Sequence, residues 1–190
     1  MNDLLIRKSF HRKKLWRHHA NKDTLVVDEL GLLHGKARAD IAVINGHLMG
    51  FEIKSDDDSL NRLNEQVEAY SAVFDRVTLV VGARHATSVP RVVPDWWGVI
   101  VCTAGQRGAV HFRTLRKAVI NTHVDPVSVA RLLWRNEAAE VLKRKDVSSG
   151  ILRKPRAVLY EYLADMLDID ELREMVREYL KNRKNWRCPA

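Results

Sequence analysis

The stretch at residues 38–55, RADIAVINGHLMGFEIKS, predicts two neighbouring strands joined by a tight turn. Apolar and other residues alternate on both sides of Asn45-Gly46, and Asn-Gly between alternating segments is a strong signal for a β-hairpin. The second set of alternating positions carries Asp40, Glu52 and Lys54. Small or apolar side chains would pack more easily at these positions, so the three charged residues need a chemical explanation.

The register of this hairpin can be chosen from the sequence. A two-residue turn would set Asp40 opposite Phe51 and would pair polar with apolar residues. A three-residue loop, 45–47, sets Asp40 opposite Glu52 and gathers the apolar residues on one face, so we expect the longer loop. The apolar face would then hold Ile41, Val43, Met49, Phe51 and Ile53, and the other face Asp40, Ala42, Gly50, Glu52 and Lys54.

Opposed carboxylates on paired strands have Cβ atoms about 4.5–5.5 Å apart. Two carboxylates at that distance repel each other unless a cation lies between them, so Asp40 and Glu52 are candidate ligands of Mg²⁺ or Mn²⁺. Lys54 would orient a metal-bound water and stabilise developing negative charge, which makes all three residues candidates for catalysis. The alternative is a solvated strand face with a simple ion pair between Asp40 and Lys54.

The sequence around the hairpin predicts an α/β core with a mixed sheet and flanking helices. Asp56, Asp57 and Asp58 are interpreted as capping residues of the second helix rather than as metal ligands. Trp16 is expected in the core, although it could also stack on a base. The expected helices are 2–20 and 59–73, and the expected strands are 24–30, 37–44, 47–55, 76–83, 97–102 and 109–115.

The remainder of the chain predicts a helical annex, so we divide the sequence into a core, 1–120, and an annex, 121–190. We expect annex helices at 128–145, 156–167 and 170–182, followed by a polar tail at 184–190. The basic loop before the second of these helices resembles small DNA-binding modules of the SAP type. A helical lid over the core is the alternative function of the annex.

The net charge of +8 is distributed unevenly along the chain. Residues 1–20 hold six Lys/Arg and one acidic residue, residues 21–120 hold twelve of each, and residues 121–190 hold fourteen and eleven. Two basic ends around a neutral middle segment are suited to binding a polyanion such as DNA. The alternative interpretation is that the Lys/Arg side chains are only solvated surface residues. The candidate nucleic-acid-binding residues are Arg12, Lys13, Lys14, Arg17, Arg38, Arg153, Lys154 and Arg156.

Membrane and secreted proteins are disfavoured by the same composition. No apolar run approaches the roughly 20 residues that span a bilayer, and the N-terminus is too charged for a signal peptide. Cys102 and Cys188 are too few for a disulfide framework and lack metal-ligand spacing. We therefore expect a cytoplasmic protein with no membrane partner.

The order of the charged motifs resembles the PD-(D/E)xK phosphodiesterase superfamily. The R-x-D motif ends at Asp40, the E-I-K motif spans 52–54, and Gln66 and Tyr70 form the Q-x-x-x-Y pattern of the RecB-like branch. Residues 25–105 also resemble the MmcB-like proteins of bacteria and phages, which are associated with DNA repair. Ala39 departs from the proline of the superfamily motif.

This resemblance implies a restriction-endonuclease-like core in which Gln66 and Tyr70 position the substrate. It also implies an auxiliary acidic ligand, for which Glu29 is the candidate. We therefore predict Mg²⁺-dependent phosphodiester hydrolysis of DNA by a nuclease of repair, recombination or phage biology. The alternative is an inactive, nuclease-like DNA-binding protein. RNA as the substrate, endonuclease or exonuclease mode, and a homodimer or protein partner all stay open.

Overall fold

The computed structural model describes residues 1–183 of the chain. The strands in this part are β1 (Leu25–Leu32), β2 (Ala37–Ile44), β3 (Leu48–Lys54), β4 (Arg76–Gly82), β5 (Gly98–Ala104) and β6 (Val110–Arg116). The helices are α1 (Asp3–Lys13), α2 (Trp16–Ala20), α3 (Leu63–Ser71), α4 (Pro126–Ala130), α5 (Arg135–Arg144), α6 (Ser149–Leu152), α7 (Arg156–Met166) and α8 (Ile169–Asn182).

The six strands form one sheet in the order in which they occur along the chain. β3, β4 and β5 run parallel to their neighbours in the centre, and the remaining neighbours are antiparallel. β4 is buried on both of its faces, with Leu79 in one apolar cluster and Val80 in the other, which explains its nearly continuous run of valine and leucine. The prediction of an α/β fold with a mixed sheet is confirmed, whereas a restriction-endonuclease-like core is not.

The hairpin has the register that its sequence predicts. Ile44 pairs with Leu48, and Ile41 pairs with Phe51, so the loop consists of the three residues 45–47. Ile41 and Ile53 therefore face α1 and join an apolar cluster with Phe10. The prediction of a three-residue loop is confirmed.

The opposite face of the sheet is also covered by helices. Ala42 and Phe74 belong to a second and larger apolar cluster, which α3 contributes to. The same cluster includes Leu132, Leu159 and Val176 from the annex. The annex helices therefore pack on the sheet through a continuous core, and the division at residue 120 remains a prediction from sequence.

The predicted helix at 2–20 is wrong because the chain turns after α1. Leu15 enters the core with 2% of its surface exposed, and Trp16 begins the short helix α2. The turn that buries Leu15 leaves Trp16 53% exposed, with the Arg17 guanidinium 5.1 Å from its ring centroid. The expectation that Trp16 lies in the core is therefore also wrong.

The loop before α3 contradicts the capping prediction for the three aspartates. α3 begins only at Leu63, and its N-cap position makes no side-chain hydrogen bond. Asp58 instead accepts a hydrogen bond from the Ser55 amide at 2.7 Å, and Asp56 accepts one from the Arg84 amide at 3.0 Å. The carboxylates hold the loop against the end of β4 rather than capping the helix.

The annex contains a further break that the sequence pattern did not reveal. The predicted helix at 128–145 is divided into α4 and α5, because Leu132 and Leu133 turn into the core between them. α7 and α8 agree with the helices expected at 156–167 and 170–182. The expected polar tail and Cys188 lie outside the described residues. Within residues 1–183, no helix is both apolar enough and long enough to cross a membrane.

Gly50 permits the close contact between β3 and the helical layer above it. A Cβ atom built on Gly50 would lie 2.7 Å from the ring of Phe74, and Phe74 is fully buried. We expect Gly50→Ala to lower the free energy of unfolding by about 1–3 kcal/mol, because the ring cannot move without disturbing the core. Urea denaturation measures this change.

Gly31→Ala in β1 is the matched control, because a Cβ atom there would meet nothing within 4 Å. We expect that variant to be neutral or slightly stabilising, since alanine restricts the unfolded chain more than glycine does. Equal unfolding midpoints for the two variants would show that Phe74 does not restrict Gly50.

Candidate functional site

The candidate site forms where β2 and β3 separate. Their backbone pairing ends at Ile41 and Phe51, so the expected pair between Asp40 and Glu52 is absent from the ladder. The Asp40 carboxylate replaces the lost partner, because its Oδ2 accepts a hydrogen bond from the Ile53 amide at 2.7 Å. The strand separation thus depends on a side chain that satisfies a buried backbone donor.

α3 supplies two side chains that bind the Glu52 carboxylate. Gln66 Nε2 donates to Oε1 and the Tyr70 hydroxyl donates to Oε2. The Tyr70 oxygen also accepts a hydrogen bond from the Asp40 amide at 3.1 Å, so this side chain joins both strands. Gln66 and Tyr70 reach the same carboxylate because residues four apart share one face of a helix. Their role in positioning a substrate remains a prediction.

Lys54 lies beside Glu52 rather than on an open strand face. Its Nζ is 2.9 Å from Glu52 Oε1, and the two residues are only 7% and 2% exposed. The alternative of a solvated face with an Asp40–Lys54 ion pair is therefore wrong. α3 covers this face of the hairpin, and that contact between distant segments is invisible in the alternation of the strands.

Arg7 is the member of the site that sequence reasoning did not find. It is one of the six Lys/Arg of residues 1–20, and its guanidinium reaches from α1 to Asp40 on β2. Nη1 donates to the Asp40 carbonyl at 2.7 Å, and Nη2 lies 3.0 Å from Asp40 Oδ1. Asp3 and Arg7 at i and i+4 also form an ion pair of 3.3 Å, and this spacing was the available signal.

Glu29 lies at the rim of the site, close to Asp40. Its carboxylate forms ion pairs with Arg7, at 2.9 Å, and with Arg38. The backbone of Glu29 has a φ of 62°, which is uncommon for a residue other than glycine. The structure therefore places Glu29 near the predicted metal ligands, and its participation in metal binding remains a prediction.

Burial changes the proton affinity of both carboxyl groups. Burial, followed by the charge of Asp40, raises the pKa of Glu52 from its ordinary 4.5 to about 7, against the opposing effect of Lys54. Burial also raises the pKa of Asp40, although the Ile53 amide and Arg7 act in the opposite direction. An additional positive charge between the two groups would stabilise their ionised forms.

The two carboxylates open onto a cleft of about 710 Å³, bounded by α1, the β1–β2 turn, β3 and α3. Six acidic and five basic side chains line the cleft. A phosphate would therefore meet net negative charge unless it entered together with a cation. The charged lining residues are Asp3, Arg7, Glu29, Lys36, Arg38, Asp40, Glu52, Lys54, Asp58, Arg62 and Glu65.

The donor set of the cleft is compatible with a hard divalent cation, although it is small. Within residues 1–183, no group of three or more His, Cys, Asp or Glu side chains is arranged to hold a metal ion. Asp40 and Glu52 would therefore be two protein ligands, and water or phosphate oxygens would complete the coordination. Mg²⁺ accepts such an arrangement, because it commonly retains several waters and binds one or two carboxylates.

The predicted nucleic-acid-binding residues occupy separate surfaces. Arg38 lies at the rim of the cleft with 68% of its side chain exposed. The Lys13 ammonium group donates to the Val110 carbonyl at 2.8 Å, which holds it over β6. The other residues are exposed on the N-terminal helical segment or at the start of α7, outside the cleft; they are Arg12, Lys14, Arg17, Arg153, Lys154 and Arg156.

Comparison with known proteins identifies a family over most of the chain. Residues 12–188 match the family model described as Bacteriophage P4 protein cII. The chain is 28% identical over 170 residues to Protein cII of Enterobacteria phage P4, an alignment that covers 89% of this chain and 63% of that protein. The chain thus spans less than two thirds of the length of that relative. No solved structure matches it.

These matches overturn the expected membership of the PD-(D/E)xK superfamily, because the family found is not a nuclease family. The predicted function as a DNA nuclease of repair or recombination is wrong for the same reason, as is its alternative, an inactive nuclease-like protein. The resemblance depended on a few charged residues that burial brings together where two strands separate. Enzymatic activity at these residues remains a prediction from the carboxylate pair.

We expect the metal-free protein to become less stable as the pH rises from about 5 to about 8. The raised pKa of Glu52 means that the folded state retains a proton that the unfolded chain has already released. The associated stability is complete below the unfolded pKa of 4.5 and is lost as the pH passes about 7. Urea denaturation in a chelator, at several pH values, measures the decline.

Glu52→Gln should flatten this decline, because the amide keeps the shape of the side chain and does not titrate. Glu65→Gln on the exposed face of α3 is the matched control and should retain the wild-type pH dependence. Parallel curves for wild type and Glu52→Gln would contradict the assignment of the decline to Glu52.

Proposed function

The chain belongs to the bacteriophage P4 protein cII family, and from this premise we propose that its cleft binds a nucleic-acid phosphate through a divalent cation held by Asp40 and Glu52. The observation that carries the proposal is the convergence of these two carboxylates at an open cleft with Arg38 on its rim. Phosphate oxygens and carboxylates are both ligands that Mg²⁺ prefers.

The charge of the cleft favours a cation over direct binding of phosphate by the carboxylates. Arg7 and Lys54 form ion pairs with Asp40 and Glu52, so the positive charges of Arg7 and Lys54 are largely compensated within the protein. A divalent cation would supply the positive charge that a phosphate requires and would neutralise the repulsion between the carboxylates. Arg7, Gln66 and Tyr70 would hold the two carboxylates in place.

The surroundings of the cleft support DNA as the partner. The N-terminal segment carries six Lys/Arg and one acidic residue over residues 1–20, and none of its Lys/Arg side chains other than Arg7 lines the cleft. Such charges attract a polyanion from a distance and contact its backbone without reading its sequence. RNA carries the same phosphate chemistry and is an outcome that the binding assay distinguishes.

Two finer expectations accompany this proposal. A cytoplasmic location follows from the cysteine content and remains a prediction. A restriction-endonuclease-like arrangement of the core is proposed for the fold alone, supported by helices on both faces of a mixed sheet. Neither expectation includes hydrolysis of the bound strand.

We expect Mg²⁺ to increase the affinity of the wild-type protein for a labelled oligonucleotide by about tenfold, which corresponds to about 1.4 kcal/mol. Ordinary competition by Mg²⁺ for phosphates lowers affinity, so a net gain indicates a bound cation that bridges protein and phosphate. Asp40→Asn should remove this gain. Fluorescence anisotropy with DNA and RNA strands, in Mg²⁺ and in a chelator, measures both effects.

Asp57→Asn is the matched control, because this carboxylate is 76% exposed and does not line the cleft. It removes the same charge and should retain the Mg²⁺ effect, and thermal unfolding verifies that each variant is folded. Equal binding by wild type with and without Mg²⁺ would refute the cation site. Recovery of the intact strand is expected, and Mg²⁺-dependent cleavage would replace the binding proposal with an enzymatic one.

A further inference from the structure

A second groove lies next to the cleft, between β1 and the annex. It encloses about 610 Å³ and shares Glu29, Gly31, Gly35 and Arg38 with the cleft, so the two spaces adjoin each other. We call it the annex groove. Its annex wall is formed by Arg131, Trp134, Arg135, Arg156 and Tyr160, together with neighbouring residues.

The annex groove carries positive charge that is not neutralised by acidic side chains. Within residues 1–183, no acidic group forms an ion pair with Arg131, Arg135 or Arg156. The guanidinium of Arg135 is held by the Leu152 and Lys154 carbonyls at 3.0 and 3.1 Å, which leaves its charge uncompensated. The groove therefore attracts anions.

The two acidic residues of the groove already have side-chain partners. Asp28 lies 2.9 Å from His11 Nε2, and Glu29 lies 2.9 Å from Arg7 Nη1. His34 also lies near these arginines. Burial, followed by the charges of Arg156 and Arg131, lowers the pKa of its imidazole. The groove thus differs from the cleft, whose charged groups nearly balance.

An aromatic side chain stands at the edge of this basic surface. Trp134 directly precedes α5 and is 52% exposed. The Arg183 guanidinium lies 4.4 Å from its ring centroid and fixes the plane of the indole. An exposed, oriented indole beside arginines is a suitable platform for stacking an unpaired base.

We infer that the annex groove binds single-stranded nucleic acid, with Arg131 and Arg156 contacting phosphates and Trp134 stacking on a base. A single strand is favoured over a duplex because stacking on Trp134 requires a base that is free of its partner. The strand would continue from the cleft along Arg38, so the inference rests on the proposed function for the class of ligand. Binding in the annex groove itself needs no divalent cation.

The variants that test the phosphate contacts are two double substitutions of equal charge. Arg131→Gln/Arg156→Gln removes the two groove arginines, and Arg91→Gln/Lys117→Gln, the loop variant, removes two exposed charges from loops that line neither the groove nor the cleft. The probe is a labelled oligothymidylate of about 12 nucleotides, titrated at several salt concentrations in a chelator. We expect the groove variant to reduce the slope of log affinity against log salt by about 1.4, and the loop variant to leave it nearly unchanged.

The variants that test stacking are Trp134→Ala and Trp134→Phe. We expect the alanine variant to bind the single strand about tenfold more weakly and the phenylalanine variant to recover most of the affinity, since both indole and phenyl rings stack on bases. The same labelled strand annealed to its complement should bind more weakly and should not respond to Trp134→Ala. Circular dichroism verifies that the variants are folded.

Equal salt slopes for the groove and loop variants would overturn the inference, as would equal binding of duplex and single strand without an effect of Trp134→Ala. Binding of polyglutamate but not of the oligonucleotide would assign the groove to an acidic protein and would also overturn it. Failure of the proposed function is separate, because it appears as loss of the Mg²⁺ effect. The groove variant would still weaken binding in the chelator.

Discussion

The separation of β2 from β3 depends on hydrogen bonds in which side chains replace the broken backbone ladder. The Ile53 amide donates to the Asp40 carboxylate, the Asp40 amide donates to the Tyr70 hydroxyl, and the Asp40 carbonyl accepts from Arg7. An unpaired buried backbone group costs about 1–3 kcal/mol, so these replacements are a condition for opening the sheet at this point. The charged site can form because side chains satisfy the backbone hydrogen-bonding groups of the two separated strands in this way.

The same contacts determine the electrostatics of the site. Tyr70 and Gln66 fix the Glu52 carboxylate from α3, and Arg7 fixes Asp40 from α1. The two carboxylates are thereby held close together in a largely buried place, which raises the pKa of each. Arg7 and Lys54 offset part of the repulsion, and both carboxylates line the cleft. A cation bound there would neutralise the negative charge of the two carboxylates that Arg7 and Lys54 leave uncompensated.

The local pattern of the sequence predicts the strands and the hairpin register well. Alternation with a period of two is a property of neighbouring residues, and only the three-residue loop groups Ile41 with Phe51. It also places Asp40 and Glu52 on one face, where the structure brings them together with Lys54, Gln66 and Tyr70. These predictions needed no knowledge of how distant segments pack.

The errors arise where distant segments decide the outcome. The burial of Glu52 and Lys54 depends on α3, and the break after α1 depends on a site in the core for Leu15. Arg7 could not be assigned to the site from sequence because its partner Asp40 is 33 positions away. The family was misjudged for a related reason: a few charged residues describe the chemistry of a site, whereas the match over residues 12–188 describes descent.

The β1–β2 turn links the chemistry of the cleft to that of the annex groove. Leu33, His34 and Gly35 all have positive φ angles, and this conformation is costly for the two residues that carry a Cβ atom. His34 packs against Tyr160 with ring centroids 5.2 Å apart, so the annex holds the turn in place. The packing of the annex therefore fixes the rim of the cleft as well as the wall of the groove. A strand that follows Arg38 from one space to the other would meet a surface already ordered by the core, without the entropy loss of arranging a flexible loop.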